Sequence, residues 1–521
     1  MKKFLLFLLA LVFIAVASIF VYGMVQFRDR HDGYWLDLTL KNPNPGEVKA
    51  GFAKVDISPD ILETWVDANG DARFNPEDGD TFEDANGNGE FDAVWLAGFH
   101  NARAAQDLLD PLWARAMVLD DGENQIALCV IDMIGFGNDE VIATRKMIQE
   151  SNPELDYVIV SSTHVHSSPD LMGMWGPSEY ERGVDPEYLL KVQEGIEAAV
   201  YQAYDSRVPA QFKLAIEEEK LKSMVGDTRD PQVFDSALKL MQVLDKENGT
   251  TLGTLMNWGN HPETLWLENI KASSDFPDPW RNMVENGIMD GDSTIMEGVG
   301  GVAIFLNGAV GGLMTTHPSM EISDPYSGET FKYQDEDKIF TQGKALAKVT
   351  LETLADSSSV IIDQASLGIR AKSMELKMDN ELFHLAAFLG IFDRGFTQWK
   401  HIRSEVSAWT LGPATFVHVP GELYPEILHG GIESPDGADF GIGPVELPAI
   451  QSKIPGQFKF FGGMSNDMIG YIVPKSQWDV EAPFTYENES RPYGEINSLG
   501  PETAPAIHKA VLEVLEELKK P

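Results

Sequence analysis

Four apolar runs, each broken by a Gly or Pro turn that carries a chemically capable residue, constrain this chain more than any other feature. VIVSSTHVHSSPD (158–170) delivers His164 and His166 into a Ser/Pro-rich loop, and TLGTLMNWGNHPETL (251–265) breaks at Gly259 and Asn260 to present His261 ahead of Pro262. GVAIFLNGAVGGL (301–313) ends in the glycine-rich turn Gly308–Gly312, and ATFVHVPGELYPE (414–426) passes through Val417 and Val419 to Pro420, Gly421 and Glu422. Short apolar runs bounded by such turns read as buried strands, and a residue preceding proline is biased to extended backbone. Segments 186–203, 336–356 and 503–519 carry apolar residues at three- and four-residue intervals and read as helices with ordinary core faces. The expected fold class is therefore α/β, one large domain with a mixed sheet. Its site is expected at the carboxyl edge, where strands of open α/β sheets hand ligands to their loops.

Neutral imidazole is the commonest protein ligand for zinc, and a strand end holds it more firmly than a floppy loop. An isolated H-x-H says little. Repetition of strand, turn and His or Glu makes a metal site the functional reading, set against the plainer one in which His261 and Glu422 only cap turns or pair with charges. No G-x-S-x-G elbow and no H-E-x-x-H helix occurs, which disfavours a serine triad and a zincin-type protease.

Charge narrows the partners. With 81 acidic against 40 basic residues the net charge is −41, which repels phosphate backbones, so nucleic acid is excluded as a partner and cation binding is favoured. Nothing in the sequence points to a protein partner. The single cysteine, Cys129, lies inside the apolar run QIALCVIDMIGF and reads as a buried thiol. At the amino terminus Lys2 and Lys3 precede an uncharged stretch, Phe4 to Phe27, long enough to cross a bilayer, with Arg28 and Arg30 after it. Residues 1–30 are expected to be a membrane anchor or signal segment; Ala15-Val16-Ala17 resembles a cleavage site, but the apolar run continues past it and favours an anchor. Everything beyond then lies outside the cytoplasm, periplasmic or at the cell surface. Residues 31–46 read as a linker and 47–521 as the folded domain. LFHLAAFLGIF (382–392) is too short to span and reads as a buried helix or, alternatively, an apolar lip beside a lipid pocket.

An acidic insertion at 63–95 carries its own pattern. Asp67-Ala-Asn69-Gly-Asp71 recurs as Asp84-Ala-Asn86-Gly-Asn88, and alternating oxygen ligands with glycine at the bend suit calcium. Asn75 and Asp78 fall at later ligand positions of the first loop and Asp92 at one of the second, with Asp78 and Asp80 able to lend oxygens to either. A structural calcium role is expected; the alternative is a solvated loop of Asx turns.

Taken in order, Gly51–Pro59 (GFAKVDISP), Pro111–Gly122 (PLWARAMVLDDG), Ser162–Ser167 (STHVHS), Asn260–Pro262, Pro420–Glu422 and Asn466–Tyr471 resemble the landmarks of the neutral/alkaline non-lysosomal ceramidases, over about residues 50 to 515. The resemblance implies a zinc amidohydrolase that cleaves N-acylsphingosine to a fatty acid and a sphingoid base. It assigns zinc to His164, His261, Glu422 and Tyr471, and gives His166, Arg229 and Tyr486 to the substrate. In such a site His166 would pass a proton to the leaving amine while Tyr486 or Arg229 stabilises the oxyanion.

The chain departs from the family at one turn. Where the family has G-D-x-S-P with an essential serine, this chain reads Gly311-Gly312-Leu313-Met314-Thr315. Met314 has no hydroxyl, and Thr315 is one residue out of step. The family also usually continues into a carboxyl-terminal β-sandwich, which this sequence is expected to lack. Two functions stay open: an exported zinc hydrolase of an N-acyl bond in a small molecule or lipid, or a catalytically degenerate metal- and lipid-binding protein of the cell surface.

Overall fold

The computed structural model describes residues 2–151 and 154–520. Two large mixed sheets stack face to face, with helices on both outer surfaces, so that the domain has four layers. The first sheet runs Val302–Asn307, Thr251–Trp258, Leu238–Asp245, Val208–Glu217, Lys49–Asp56, Trp113–Asp120, Gln125–Ile131 and Tyr157–Ser162, with Val360–Ile362 added beside Val208–Glu217. The second runs Asp37–Lys41, Leu367–Lys377, His401–Leu411, Ala414–His418 and Phe458–Gly462, with Phe396–Gln398 against His401–Leu411. The expected mixed α/β architecture is present, divided between two sheets rather than held in one.

Inward side chains of both sheets, among them Met117, Leu128, Phe212 and Leu255 from the first and Ile369, Trp409, Phe416 and Phe460 from the second, form the central core. The stacked rings of Trp409 and Phe416 lie 3.6 Å apart at its centre. Helix Pro186–Asp205 lays Val192, Ile196, Ala199 and Ala203 on the outer face of the first sheet, capped by Asp185 accepting from the Glu187 N–H. Pro277–Asn286 and Glu336–Ala355 cover another part of that sheet, and Thr503–Lys519 covers the second. The three helices expected from periodicity are found with ends within about two residues, the usual scatter of helix boundaries.

The expected linker is corrected in part. Residues 31–46 contain a strand, Asp37–Lys41, which pairs antiparallel with Leu367–Lys377. Its alternation explains why: Leu38 and Leu40 pack on the central core while Asp37, Thr39 and Lys41 point away. Cys129 is fully buried and free, with its thiol pKa pushed up by burial.

Candidate metal centre

Each strand that leads into the site belongs to a parallel pair: Tyr157–Ser162 with Gln125–Ile131, Thr251–Trp258 with Val302–Asn307, and Ala414–His418 with Phe458–Gly462. Parallel pairing brings the carboxyl ends of both partners to one edge, so the loops after them converge although they come from two sheets. Three buried asparagines pin that edge. Asn257 donates to the carbonyls of Leu306 and Phe461 at 2.9 and 2.8 Å and accepts from the Phe461 N–H, joining the sheets. Asn307 donates to Thr163 and Asn260, both at 2.9 Å, and the Asn466 amide oxygen accepts from the Val160 N–H at 3.0 Å.

His164, His166 and His261 present ring nitrogens that all lie within 4.8 Å of one another, a group that could hold a metal ion. His164 has φ +67°, a costly left-handed conformation for a non-glycine residue, and it is held there by its N–H to the Met133 carbonyl and its Nδ1 to the Ile134 carbonyl at 2.6 Å. The Nδ1 of His261 donates likewise to the Met314 carbonyl at 2.7 Å. Fixing the proton on Nδ1 turns each Nε2 inward, and those atoms lie 3.4 and 3.0 Å from Glu422 Oε2. Burial opposes its ionisation, but the hydrogen bond to Glu422 and the nearby Glu263 charge lift His261 to about 9. Burial likewise opposes charge on Glu422, yet the two histidines pull it down to about 2. Two imidazole nitrogens and a carboxylate oxygen aimed at one point, each backed by its own carbonyl or partner, fit a divalent ion. Tyr471, in register with Glu422 on paired short strands, completes the wall, its phenol pKa raised by burial and by the Glu422 charge.

Two buried charges near these histidines were not singled out in the sequence. Glu263 Oε2 stands 3.1 Å from His166 Nδ1, in poor alignment for a hydrogen bond, and burial raises its pKa. Arg103, fully buried, donates to the His166 carbonyl and stacks on Phe99 at 5.2 Å. Burial, His164, His261 and Arg103 together hold His166 well below the usual histidine range, and neither of its ring nitrogens has a well-aligned hydrogen-bond partner. The position of Glu263, two residues past His261 in N-H-P-E, was the available signal. Arg103 carried none.

The glycine turn supports the centre through its backbone. A Cβ on Gly311 would stand 2.5 Å from the Glu422 carbonyl, and one on Gly308 would stand 2.4 Å from the Asp235 carboxylate, so both positions demand glycine for close approach. Met314 gives its carbonyl to His261, while its side chain is fully buried among Trp258, Phe276 and Met464. Thr315 bridges His261 through the backbone, and its buried hydroxyl has no well-aligned partner.

A cleft opens beside the centre, lined by His164, His166, Glu422 and Tyr471 together with the apolar side chains of Ile134, Met172, Met174, Phe383, Phe392 and Ile469. Tyr493 and Asn497 also face it. Arg229 and Tyr486 do not line it. Arg229 is held by Glu495 at 3.1 Å and lies over the Tyr424 ring at 4.4 Å, and the Tyr486 hydroxyl donates to Glu433 at 2.9 Å. Two acidic partners and a ring have drawn these side chains into a cluster beside the cleft.

In the acidic insertion, Asp67 accepts from the N–H groups of Gly70, Asp71 and Ala72, and Asp84 accepts in the same way from Gly87, Asn88 and Gly89. Asn69 and Asn86 accept from Asp71 and Asn88. Asp80 ties the first loop through Ala68 and Asn75, Asp78 accepts from the Asn75 amide, and Asp92 accepts from the amides of Asn86 and Asn88. The two loops are near-copies, packed on an aromatic cluster of Trp65, Phe74, Phe82 and Phe91.

No protein-family model matches this sequence, and no curated protein matches it. Solved structures do. The neutral ceramidase from Pseudomonas aeruginosa superposes with a TM-score of 0.62 over 91% of this chain and 74% of its own, at 13% identity. A structure titled as ceramidase complexed with C2 gives 0.62 over 91% and 75%, at 14% identity. The fold is that of a ceramidase-type catalytic domain.

Proposed function

We propose that this protein is an exported, zinc-dependent hydrolase of an N-acyl amide bond in a lipid. The reading is supported by three histidines, His164, His166 and His261, whose ring nitrogens lie within 4.8 Å of one another, with Glu422 against His164 and His261, beside an apolar cleft that His164, His166, Glu422 and Tyr471 line. Zinc held by those four residues would polarise the amide carbonyl and lower the pKa of a water molecule. The remaining steps belong to the chain. Ile134 and Met314 orient the two imidazoles through their carbonyls; His166 takes the proton released by the attacking water and gives it to the departing amine. Glu263 beside it offers a carboxylate to the ring while that proton is carried. Tyr493 and Asn497, which line the cleft as Arg229 and Tyr486 do not, are the donors for the carbonyl oxygen. Met172, Met174, Phe383 and Phe392 exclude water and bury an acyl chain, worth about 0.8 kcal/mol per methylene.

A second reading, binding without turnover, draws on Met314, which offers no hydroxyl where the resembled family has its serine. One experiment separates the two: metal analysis before and after chelation, with hydrolysis of fluorescent N-acyl lipids by wild type and Met314→Ser. Stoichiometric zinc with chelator-sensitive turnover is expected for wild type. Met314→Ser should keep its zinc, because the backbone carbonyl remains, but lose about 2–4 kcal/mol of stability from the emptied core position. Bound zinc with no hydrolysis of any N-acyl lipid would leave the binding protein.

We further propose that Asp67, Asn69, Asp71 and Asp78, and Asp84, Asn86, Asn88 and Asp92, with Asp80 supporting them, hold structural calcium. Calcium is then expected to slow proteolysis within residues 63–95 and to leave zinc content unchanged; equal cleavage with calcium or with chelator would refute it.

A further inference from the structure

The helix Glu381–Leu389 has two apolar faces. Inward, Phe383 lines the cleft, joined by Phe392 just past the helix end. Outward, Leu382, Leu385 and Leu389 form a stripe at three- and four-residue spacing, with exposures of 62%, 51% and 42%, and Trp399 stands nearby at 66%. An outward apolar stripe on a short helix needs a cover, and the amino-terminal helix shows what it is.

Helix Lys2–Gln26 contains a 24-residue apolar stretch whose most apolar 18-residue window has mean hydropathy 3.1, none of it buried. At 1.5 Å per residue it is about 37 Å long, enough for a hydrocarbon layer of about 30 Å. Its last turns are the part that touches the domain, and they touch Glu381–Leu389. The Tyr22 ring meets Phe388 edge-on at 5.5 Å, and Phe27 packs against His384, Phe396 and Trp399 at 5.3, 5.0 and 5.3 Å. Just beyond, Arg30 pairs with Asp393 and Arg403 with Asp29. Aromatic residues followed by cations are the signature of the depth at which a chain leaves hydrocarbon for water.

We infer that Leu382, Leu385, Leu389 and Trp399 are seated in the surface of the bilayer that the amino-terminal helix crosses, and that acyl chains enter the cleft from this bilayer past Phe383 and Phe392. The route rests on the lipid-hydrolase reading; the seating does not. The occupant is a lipid surface rather than a protein groove, because the stripe adjoins the end of a helix that is long and apolar enough to cross a bilayer. With a net charge of −41 on the chain, attraction to anionic head groups cannot drive the contact, so insertion of the leucines and Trp399 into neutral lipid does.

The full chain permits a direct test, since its only cysteine is buried. Leu385→Cys and Glu247→Cys, the latter on the exposed hairpin at the opposite end of strand Thr251–Trp258, take an environment-sensitive fluorophore in phosphatidylcholine vesicles. At 385, quenching by spin-labelled lipid and protection from iodide of about an order of magnitude relative to 247 are expected. Equal iodide access at both positions would overturn the seating. The readout needs no turnover, so an inactive protein with a lipid-quenched label at 385 removes only the hydrolase reading. An active protein with iodide-exposed 385 removes only the docking surface.

Discussion

His261→Ala is expected to lose divalent-metal affinity by more than the roughly 10–100-fold that loss of an outer-shell partner costs, because it deletes a ligand outright. Its effect on the metal-free fold is just as diagnostic. Glu422 is 3% exposed and its carboxylate rests on the Nε2 atoms of His261 and His164. Removing one partner of a buried pair typically costs about 3–5 kcal/mol, and His164, still in place, holds the loss toward the lower end. A pH signature separates this from simple loss of packing. With His261 raised from 6.5 to about 9, its contribution is complete below pH 6.5 and disappears as pH rises through about 9. With Glu422 lowered from 4.5 to about 2, its contribution is present above pH 4.5 and disappears only as pH falls through about 2. Metal-free wild type should therefore lose stability between pH 6.5 and 9, and His261→Ala should not. Urea unfolding in chelator across that range measures it; parallel slopes for both proteins would refute the charged pair.

Asp132→Ala should cost a similar amount at a position that touches no ligand. Asp132 and Arg281 are fully buried and pair through both oxygens at 2.8 and 2.9 Å, and Asp132 also accepts from the Trp113 N–H and the Ser274 hydroxyl. Alanine strands the Arg281 charge, about 3–5 kcal/mol, whereas Asp132→Leu combined with Arg281→Leu should recover most of that. The site should respond as well. Asp132 anchors the end of Gln125–Ile131 just before Met133 and Ile134, whose carbonyls hold His164 in its left-handed conformation. Metal affinity should accordingly fall about 10-fold in Asp132→Ala, by loosening rather than removing a ligand. Calorimetric metal titration of the single and double variants reads both effects, and an unchanged affinity would detach Asp132 from the centre.

Much of this fold is legible in the sequence. Runs such as VIVSS and TLMNW announce strands because burial on both faces leaves no room for polar alternation, and the Gly and Pro that follow announce turns through backbone sterics alone. His164, His166, His261 and Glu422 were therefore assigned to strand ends. The paired D-x-N-G loops were readable for the same reason, since an Asx turn is made within a few residues. Asp37–Lys41 is not legible as a strand, because five residues with two leucines look like a spacer until Leu367–Lys377 is there to receive them.

The sequence by itself determined local conformation and the kind of chemistry at each strand end, because those depend on neighbours along the chain. Which strands lie side by side was decided by the tertiary structure. Only that arrangement split the strands into two sheets, brought Glu263 and Arg103 beside His166, left Arg229 and Tyr486 outside the cleft lining, and set Phe388 against the end of the amino-terminal helix. Contacts between residues hundreds of positions apart are fixed by packing of whole surfaces, and no short window of sequence records that packing.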